Sequence, residues 1–376
     1  MLKKIKVYLQ SPWKFPDSPY YKYLLTSPPD NVEYINVKKQ KGAMTNYIKF
    51  IFSKHLKWKI RQIIYLFNIP LINVNLTRSK KEYDLIHCAH CLSRNKEKPW
   101  VIDIEGKWQF YVGHESPKLK ESIKNILAEK NCKKILAWTI GEEKELTKEF
   151  PEIKDKIEVV YPAFPTSNIK RKKHKKINLL FYARYFYGKG GLHALEAIDR
   201  LTKKHKNVYG TFISADIPKR IKEKYSKNLK IKIQDIIPQK NLFEEILPTS
   251  DIFIYPGYRD SFGFALVEVM SFGIPIITVN GFARKEIVEN GKNGFVIDIS
   301  GGIKNENLRK KGEKIMVEKG EEVIKKMIKK AELLIKNKKL RNKMSKNCIE
   351  AIKNGKFSIK ERNKKLEKIY EEALRK

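Results

Sequence analysis

Acidic residues are in short supply in this 376-residue chain. Asp and Glu total 42 against 79 Lys and Arg, a formal charge of +37. So basic a chain is drawn to anions: nucleotide phosphates, nucleic acid or an anionic lipid surface. Lys- and Glu-rich surfaces accompany heat adaptation, but here Lys far outnumbers Glu. Cysteine is nearly absent as well. Four residues cannot staple a chain of this length. Cys88 and Cys91 form a Cys-x-x-Cys, but Cys132 and Cys348 stand apart and supply no second zinc pair. Reduced thiols suit a cytosolic protein. A long uncharged apolar run is missing too. The nearest, 262–279, carries Glu268, Gly263, Gly273 and Pro275, which argues against a membrane span. The opening "MLKKIKVYLQ" reads as a strand rather than a leader. Neither Gly-x-Gly-x-x-Gly nor a Walker A sequence is present.

What the chain does have is alternation. "KIKVYL", "VEYINV", "DLIHCA", "WVIDIE", "KILAW" and "IEVVY" are short β-branched or aromatic runs. Helical stretches separate several of them, among them 116–130, which opens with Ser116 as N-cap and Pro117 at N1. After "FPTSNIKRKKHKK" (164–176), read as a linker, the alternation restarts with "INLLFYA", "VYGTFIS", "IKIQ", "DIFIYP", "PIITV" and "GFVID". Helices are expected near 188–205 and 239–247, and from about 318 the pattern is helical to the end. Alternating strands and helices predict two parallel, doubly wound α/β domains, with a ligand cleft at the carboxyl ends of their strands. The boundaries read as 1–163 for the first domain and 164–356 for the second, with a closing helix, 357–376, crossing back to the first.

Two loops in the second half point to an anion. "FYARYFYGKGG" (181–191) is a strand followed by Arg184, Lys189 and glycines that open a helix. Glycines let backbone approach a ligand, and a helix start favours negative charge. In "DSFGFALVEVMSFGIPIITVNG" (260–281), Asp260 or Ser261 is placed to cap a helix starting near Phe262, freeing the N–H groups of Phe262, Gly263 and Phe264. Glu268 is the only Asp, Glu, Lys or Arg from Ser261 to Ala283. A charge in such apolar company needs a partner, from the fold or from a ligand.

These residues carry a resemblance. "DSFGFALVE" is similar to the Glu-x7-Glu signature of glycosyltransferase family 4, with Asp260 in place of the first Glu. "ARYFYGKG" resembles that family's Gly-Arg-Leu-x-x-x-Lys-Gly loop. "EIVENGKNGFVID" (286–298), "YPAF" (161–164) and "GKFSIKERNKKLEKIYEEAL" resemble neighbouring stretches of the family. The resemblance implies a GT-B fold, two Rossmann-like domains facing across a cleft. It implies a retaining hexosyltransferase that takes a nucleotide-activated sugar, of UDP or GDP type, with no metal ion and no separate cofactor. Arg184 and Lys189 would bind the donor diphosphate. Asp260 would touch hydroxyls of the transferred sugar, and Glu268 would accept from the ribose hydroxyls. Ser261, Phe262, Gly263 and Phe264 would line the phosphates.

The first half departs from that family. Its first strand is followed by "QSPWKFPDSPYY", without the family's Gly-Gly. Glu105, in "IDIEG", stands where members often have His. It is a candidate to orient the donor sugar or to act on the acceptor hydroxyl, with a structural role the alternative. His87 and His90 are expected at the cleft edge, where histidines are more often simply satisfied by their neighbours than functional. The acceptor, a glycan or a lipid-linked glycan, is not specified by this half. The stretch 46–67 has Lys49, Lys54, Lys57, Lys59 and Arg61 among aromatics and no acid. It is a candidate interfacial helix for anionic lipid, which would put a cytoplasmic protein on the inner face of a membrane; packing on the sheet is the alternative. Two other readings compete with glycosyl transfer. A nucleic-acid-binding protein would explain the charge but not the spacing of Arg184, Lys189, Asp260 and Glu268. A nucleotide-sugar epimerase would turn over without an acceptor.

Overall fold

A computed structural model of the chain describes residues 4–10, 18–36, 71–112, 115–172, 174–299 and 320–375, with Lys59, Ile63, Ile64, Leu66 and Phe67. Most of the basic stretch 46–67, and residues 11–17 of the loop after the first strand, lie outside the described residues. The chain forms two compact units, Met1–Ala163 with Ile359–Lys376, and Phe164–Ser358.

In the first unit the elements run β1 (Ile5–Gln10), α1 (Pro19–Thr26), β2 (Val32–Ile35), β3 (Val74–Asn75), β4 (Leu85–Ala89), β5 (Leu92–Ser93), β6 (Trp100–Ile104), α2 (Pro117–Ala128), β7 (Cys132–Ala137), α3 (Ile140–Glu149) and β8 (Ile157–Val159). Six of the strands make a parallel sheet in the order β2-β1-β4-β6-β7-β8, and β3 pairs with β5 apart from it. All six β-branched or aromatic runs are strands. β4 and β6 are buried at every position, as expected of parallel strands covered on both faces. α2 starts as its sequence predicts: Pro117 is the first helical residue, and Ser116 Oγ accepts from the Leu119 N–H at 3.3 Å.

A polar cluster sits inside this core. Asp103, fully buried at the end of β6, accepts from Tyr21 Oη at 2.7 Å and from the His90 N–H at 3.2 Å. The His87 and His90 rings lie 3.3 and 3.5 Å from the same carboxylate. Burial works to raise the Asp103 carboxyl, but the imidazoles and the Tyr21 hydroxyl outweigh it and hold the carboxyl below its usual range. His87 and His90 are therefore interior residues placed against Asp103, in keeping with a structural role. Cys88 and Cys91 are buried as well, and burial pushes the Cys88 thiol well above its ordinary value, which leaves it protonated and unreactive. The closing helix, Ile359–Leu374, packs into this unit. Tyr370 Oη lies 2.6 Å from His87 Nδ1 and 2.9 Å from Tyr34 Oη. Lys365 Nζ donates to the Val159 carbonyl at 2.9 Å.

The second unit runs β9 (Ile177–Ala183), α4 (Gly191–Lys204), β10 (Val208–Ser214), α5 (Lys219–Ser226), β11 (Ile231–Gln234), β12 (Ile252–Tyr255), α6 (Phe264–Ser271), β13 (Ile276–Val279), β14 (Gly294–Ile297), α7 (Gly320–Lys336) and α8 (Lys338–Lys353). Its parallel sheet has the order β11-β10-β9-β12-β13-β14. The chain steps outward one way from β9 and the other way from β12. The order reverses between β9 and β12, and in open α/β sheets the carboxyl ends of strands at such a reversal are where ligands bind. β12, β13 and β14 are buried at every residue. Within the basic stretch, Arg171 is held on this unit: its Nη2 donates to the Ser250 carbonyl at 2.6 Å and to Asp251 Oδ1 at 2.8 Å.

Tyr370 is the hydroxyl that joins the closing helix to the buried cluster. Tyr370→Phe would leave His87 Nδ1 and Tyr34 Oη without it, at a cost of about 1–3 kcal/mol. The urea midpoint should fall accordingly; an unchanged midpoint would show that the helix is held by its apolar contacts alone.

Candidate functional site

The carboxyl ends of β9 and β12, where a crevice is expected from the strand order, carry two loops whose backbones are joined. The Gly257 N–H donates to the Lys189 carbonyl at 3.0 Å, and the Arg259 N–H to the Gly188 carbonyl at 2.8 Å. Glycine permits this approach. Gly190, the N-cap of α4, has φ +76°, and a Cβ there would fall 2.5 Å from Pro256 Cβ and 2.9 Å from Tyr258 Cε2. The left-handed conformation costs an L side chain about 1–2 kcal/mol before any clash is counted.

Lys189 and Asp260 meet across this join. Lys189 Nζ is 2.8 Å from Asp260 Oδ1 and donates to the Arg259 carbonyl at 2.6 Å. Tyr255 Oη donates to Asp260 Oδ2 at 2.6 Å. Burial, with the Asp260 charge, pushes the Tyr255 hydroxyl well above its ordinary value, so it remains a donor. Arg184, on the same loop as Lys189, is exposed and makes no ion pair to a described residue. The sequence thus places Arg184, Lys189 and Asp260 around one crevice, and the fold brings the latter two into contact.

The start of α6 differs from expectation. The helix begins at Phe264, not Phe262, and its N-cap is Gly263 at φ 95° with no side-chain cap. Asp260 caps nothing, because both of its oxygens are committed to Lys189 and Tyr255. Ser261 and Phe262 lie in the loop before the helix. Glu268 is therefore just over one turn into α6. It is buried, and two of its partners within the fold are Tyr182, whose Oη donates to Oε2 at 2.6 Å, and Gln239, whose Nε2 donates to Oε1 at 3.4 Å. The lone carboxylate of the sequence thus has internal hydrogen bonds before any ligand arrives. Glu105 belongs to the first unit. It follows β6, and its N–H donates to Gln109 Oε1 at 2.8 Å.

Four residues of this region were not legible as site residues. Tyr182 and Tyr255 read only as strand aromatics, although each stands at or next to the carboxyl end of a strand flanking the crevice. Gln239 opens the short helical run 239–249 and carries no motif. Arg284, the first residue of the short helix Arg284–Ile287 after β13, is 1% exposed. Its one signal in the sequence is a charge set between apolar "NGFA" and the helical "KEIV".

Comparison with known proteins bears on the same unit. The family model of glycosyl transferases group 1 matches residues 165–331. An uncharacterized 41.2 kDa protein of the cps region of Klebsiella pneumoniae is 26% identical over 251 residues, 62% of this chain and 61% of that protein. The matched part is thus under two thirds of that relative's length. A glycosyltransferase structure from Rickettsia africae aligns over 100% of both chains with a TM-score of 0.61 at 16% identity. The pneumococcal O-GlcNAc transferase GtfA, solved with UDP and GlcNAc, aligns over 78% of this chain and 57% of its own, with a TM-score of 0.59 at 14% identity.

The fold is GT-B. Both units are of the Rossmann-like kind that fold is built from, and the group 1 match falls on the unit that carries the crevice.

Gly190→Ala should lower stability by about 1–2 kcal/mol from the backbone alone, and the contact with Pro256 and Tyr258 should push the two loops apart. A thermal melt measures the first effect. Loss of protection of the Gly257 and Arg259 amides in hydrogen exchange measures the second. Protection equal to that of the parent protein would show that the loops are not held by this approach.

Proposed function

We propose that the protein is a retaining glycosyltransferase that moves a hexosyl group from a nucleotide diphosphate sugar to a glycan or lipid-linked acceptor. The observation that carries this reading is the placing of Arg184, Lys189 and Asp260 on the two loops of a Rossmann crossover, with Glu268 on the helix that follows the second loop. Arg184 and Lys189 supply two positive charges for a diphosphate of about two negative charges. As the bond to the anomeric carbon breaks, the β-phosphate gains charge, and preorganised cations lower that barrier without reorganising. Asp260 accepts from hydroxyls of the sugar being moved. Glu268, already oriented by Tyr182 and Gln239, accepts from the ribose hydroxyls. The backbone from Ser261 to Phe264 lies alongside the phosphates. Glu105 is assigned to the acceptor side or to orienting the donor sugar.

UDP is the first donor nucleotide to test, because the similar fold of GtfA holds UDP and GlcNAc; GDP is the next. The reading needs no metal, since the two cations and the helix starts neutralise the diphosphate. Retention rests on the Glu-x7-Glu-like pattern. The basic surface, and the lack of any helix among the described residues long and apolar enough to cross a membrane, fit a cytoplasmic enzyme working at an anionic membrane face. Nucleic-acid binding and epimerisation have no feature of the site in their favour.

Thermal shift with UDP, GDP and ADP tests the reading, since a ligand of the folded state raises its melting temperature. UDP or GDP should stabilise the protein, and donor turnover should survive EDTA. Lys189→Ala should lose about 100- to 1,000-fold in kcat. Glu268→Gln should fold normally and lose about tenfold to a hundredfold in donor affinity, as expected for a charge-assisted hydrogen bond. No shift with any nucleotide would overturn the reading. Turnover lost to EDTA and restored by Mg would overturn the metal-free mechanism.

A further inference from the structure

In the ligand-free protein, Lys189 is already engaged with Asp260 and the Arg259 carbonyl. A diphosphate that recruits Lys189 must therefore separate a close ion pair and leave the Asp260 carboxylate, 14% exposed, with only the Tyr255 hydroxyl. A largely buried carboxylate deprived of its counter-charge is costly.

A second cation is at hand. Arg284 donates through Nε to the Val279 carbonyl, and its guanidinium lies over the Phe282 ring, 5.3 Å from the centroid. Nη1 and Nη2 are buried and have no hydrogen-bond partner. Phe282 itself sits at φ 50°, strained for a bulky side chain. Orphaned donors and backbone strain in one loop are seldom kept for packing alone. The loop lies against the crevice. A Cβ on Gly257 would stand 3.3 Å from Arg284 Nη1 and 2.7 Å from the Tyr255 ring, and the Tyr255 hydroxyl bonds Asp260. Burial pulls the guanidinium below its ordinary range, and the first influence opposing that is Asp260, ahead of Tyr255 and Tyr258.

We propose that Arg284 is a positioning residue that takes over the charge of Asp260 when a diphosphate draws Lys189 away. The inference rests on the diphosphate site proposed above. The charges then pair off when the diphosphate is bound, whereas in its absence Arg284 is left without a carboxylate of its own. Without ligand, Asp260 is held by Lys189, with Arg284 in reserve. With ligand, Arg184 and Lys189 face the diphosphate, and Arg284 with Tyr255 holds Asp260. Arg284 touches neither sugar nor phosphate; it lowers the cost of releasing Lys189.

The test is UDP binding by calorimetry to a cycle of four proteins, the parent, Arg284→Met, Asp260→Asn and the double variant, with Arg284→Lys as a fifth for comparison. Arg284→Met should weaken UDP about tenfold to a hundredfold, because Lys189 is then trapped by Asp260. Asp260→Asn should bind UDP as well as the parent or better, since UDP has no sugar for Asp260 to hold. The double variant should regain the affinity of Asp260→Asn to within about threefold. Arg284→Lys should stay close to the parent. A merely structural arginine gives no rescue by Asp260→Asn, and that result would overturn the proposal. If the parent protein binds no nucleotide and no inorganic pyrophosphate, the diphosphate reading fails. Arg284 is then judged by the melting temperatures of the same four proteins, where a coupled Arg284 and Asp260 give non-additive changes and strict additivity refutes the coupling.

Discussion

The ion pair between Lys189 and Asp260 organises the second unit. It joins the loop after β9 to the loop after β12 where the strand order reverses. Its oxygens and nitrogen are supported on each side, by Tyr255 on the carboxylate and the Arg259 carbonyl on the ammonium. The backbone join of Gly257 and Arg259 to Lys189 and Gly188 holds the two loops at the distance the pair needs. A surface pair contributes little because it is screened and mobile. This one is largely shielded, with its side chains 16% and 14% exposed, and its geometry is fixed by the sheet beneath.

The sheet supplies that rigidity through burial. β12 and β13 are covered on both faces, so their carboxyl ends cannot shift without disturbing the core. Loops set on such ends hold reactive groups in place while remaining open to a ligand. The first unit uses the same architecture differently. Its comparable polar residues, His87, His90 and Asp103, face inward and bind the closing helix through Tyr370. A similar sheet thus carries a crevice with cations in one unit and a closed polar core in the other.

Most of the fold was legible in the sequence because its strands are short, β-branched and separated by helical stretches. Every run singled out there is a strand. Local signals also placed Ser116 and Pro117 correctly at the start of α2. The grouping of the candidate residues was legible where it depends on spacing along the chain: Arg184 and Lys189 on one loop, Asp260 and Glu268 around another. It was not legible where distant residues meet. Tyr182 and Gln239 reach Glu268 from 86 and 29 positions away, and neither looks like a ligand of a carboxylate in sequence. Asp260 was misread as a helix cap because a cap is a local rule, whereas Lys189, 71 positions back, claims the carboxylate first. The inward turn of His87 and His90 had the same cause: their partners come from β6 and from the closing helix.

The central claim is that a nucleotide diphosphate displaces Asp260 from Lys189. The ³¹P spectrum of UDP titrated with the protein reads this directly, because the phosphorus shifts respond to a cation placed on the oxygens. The account predicts that both resonances move on binding to the parent protein, and that the β-phosphorus change is largely lost with Lys189→Ala while Asp260→Asn preserves it. A β-phosphorus change of equal size with Lys189→Ala would contradict it.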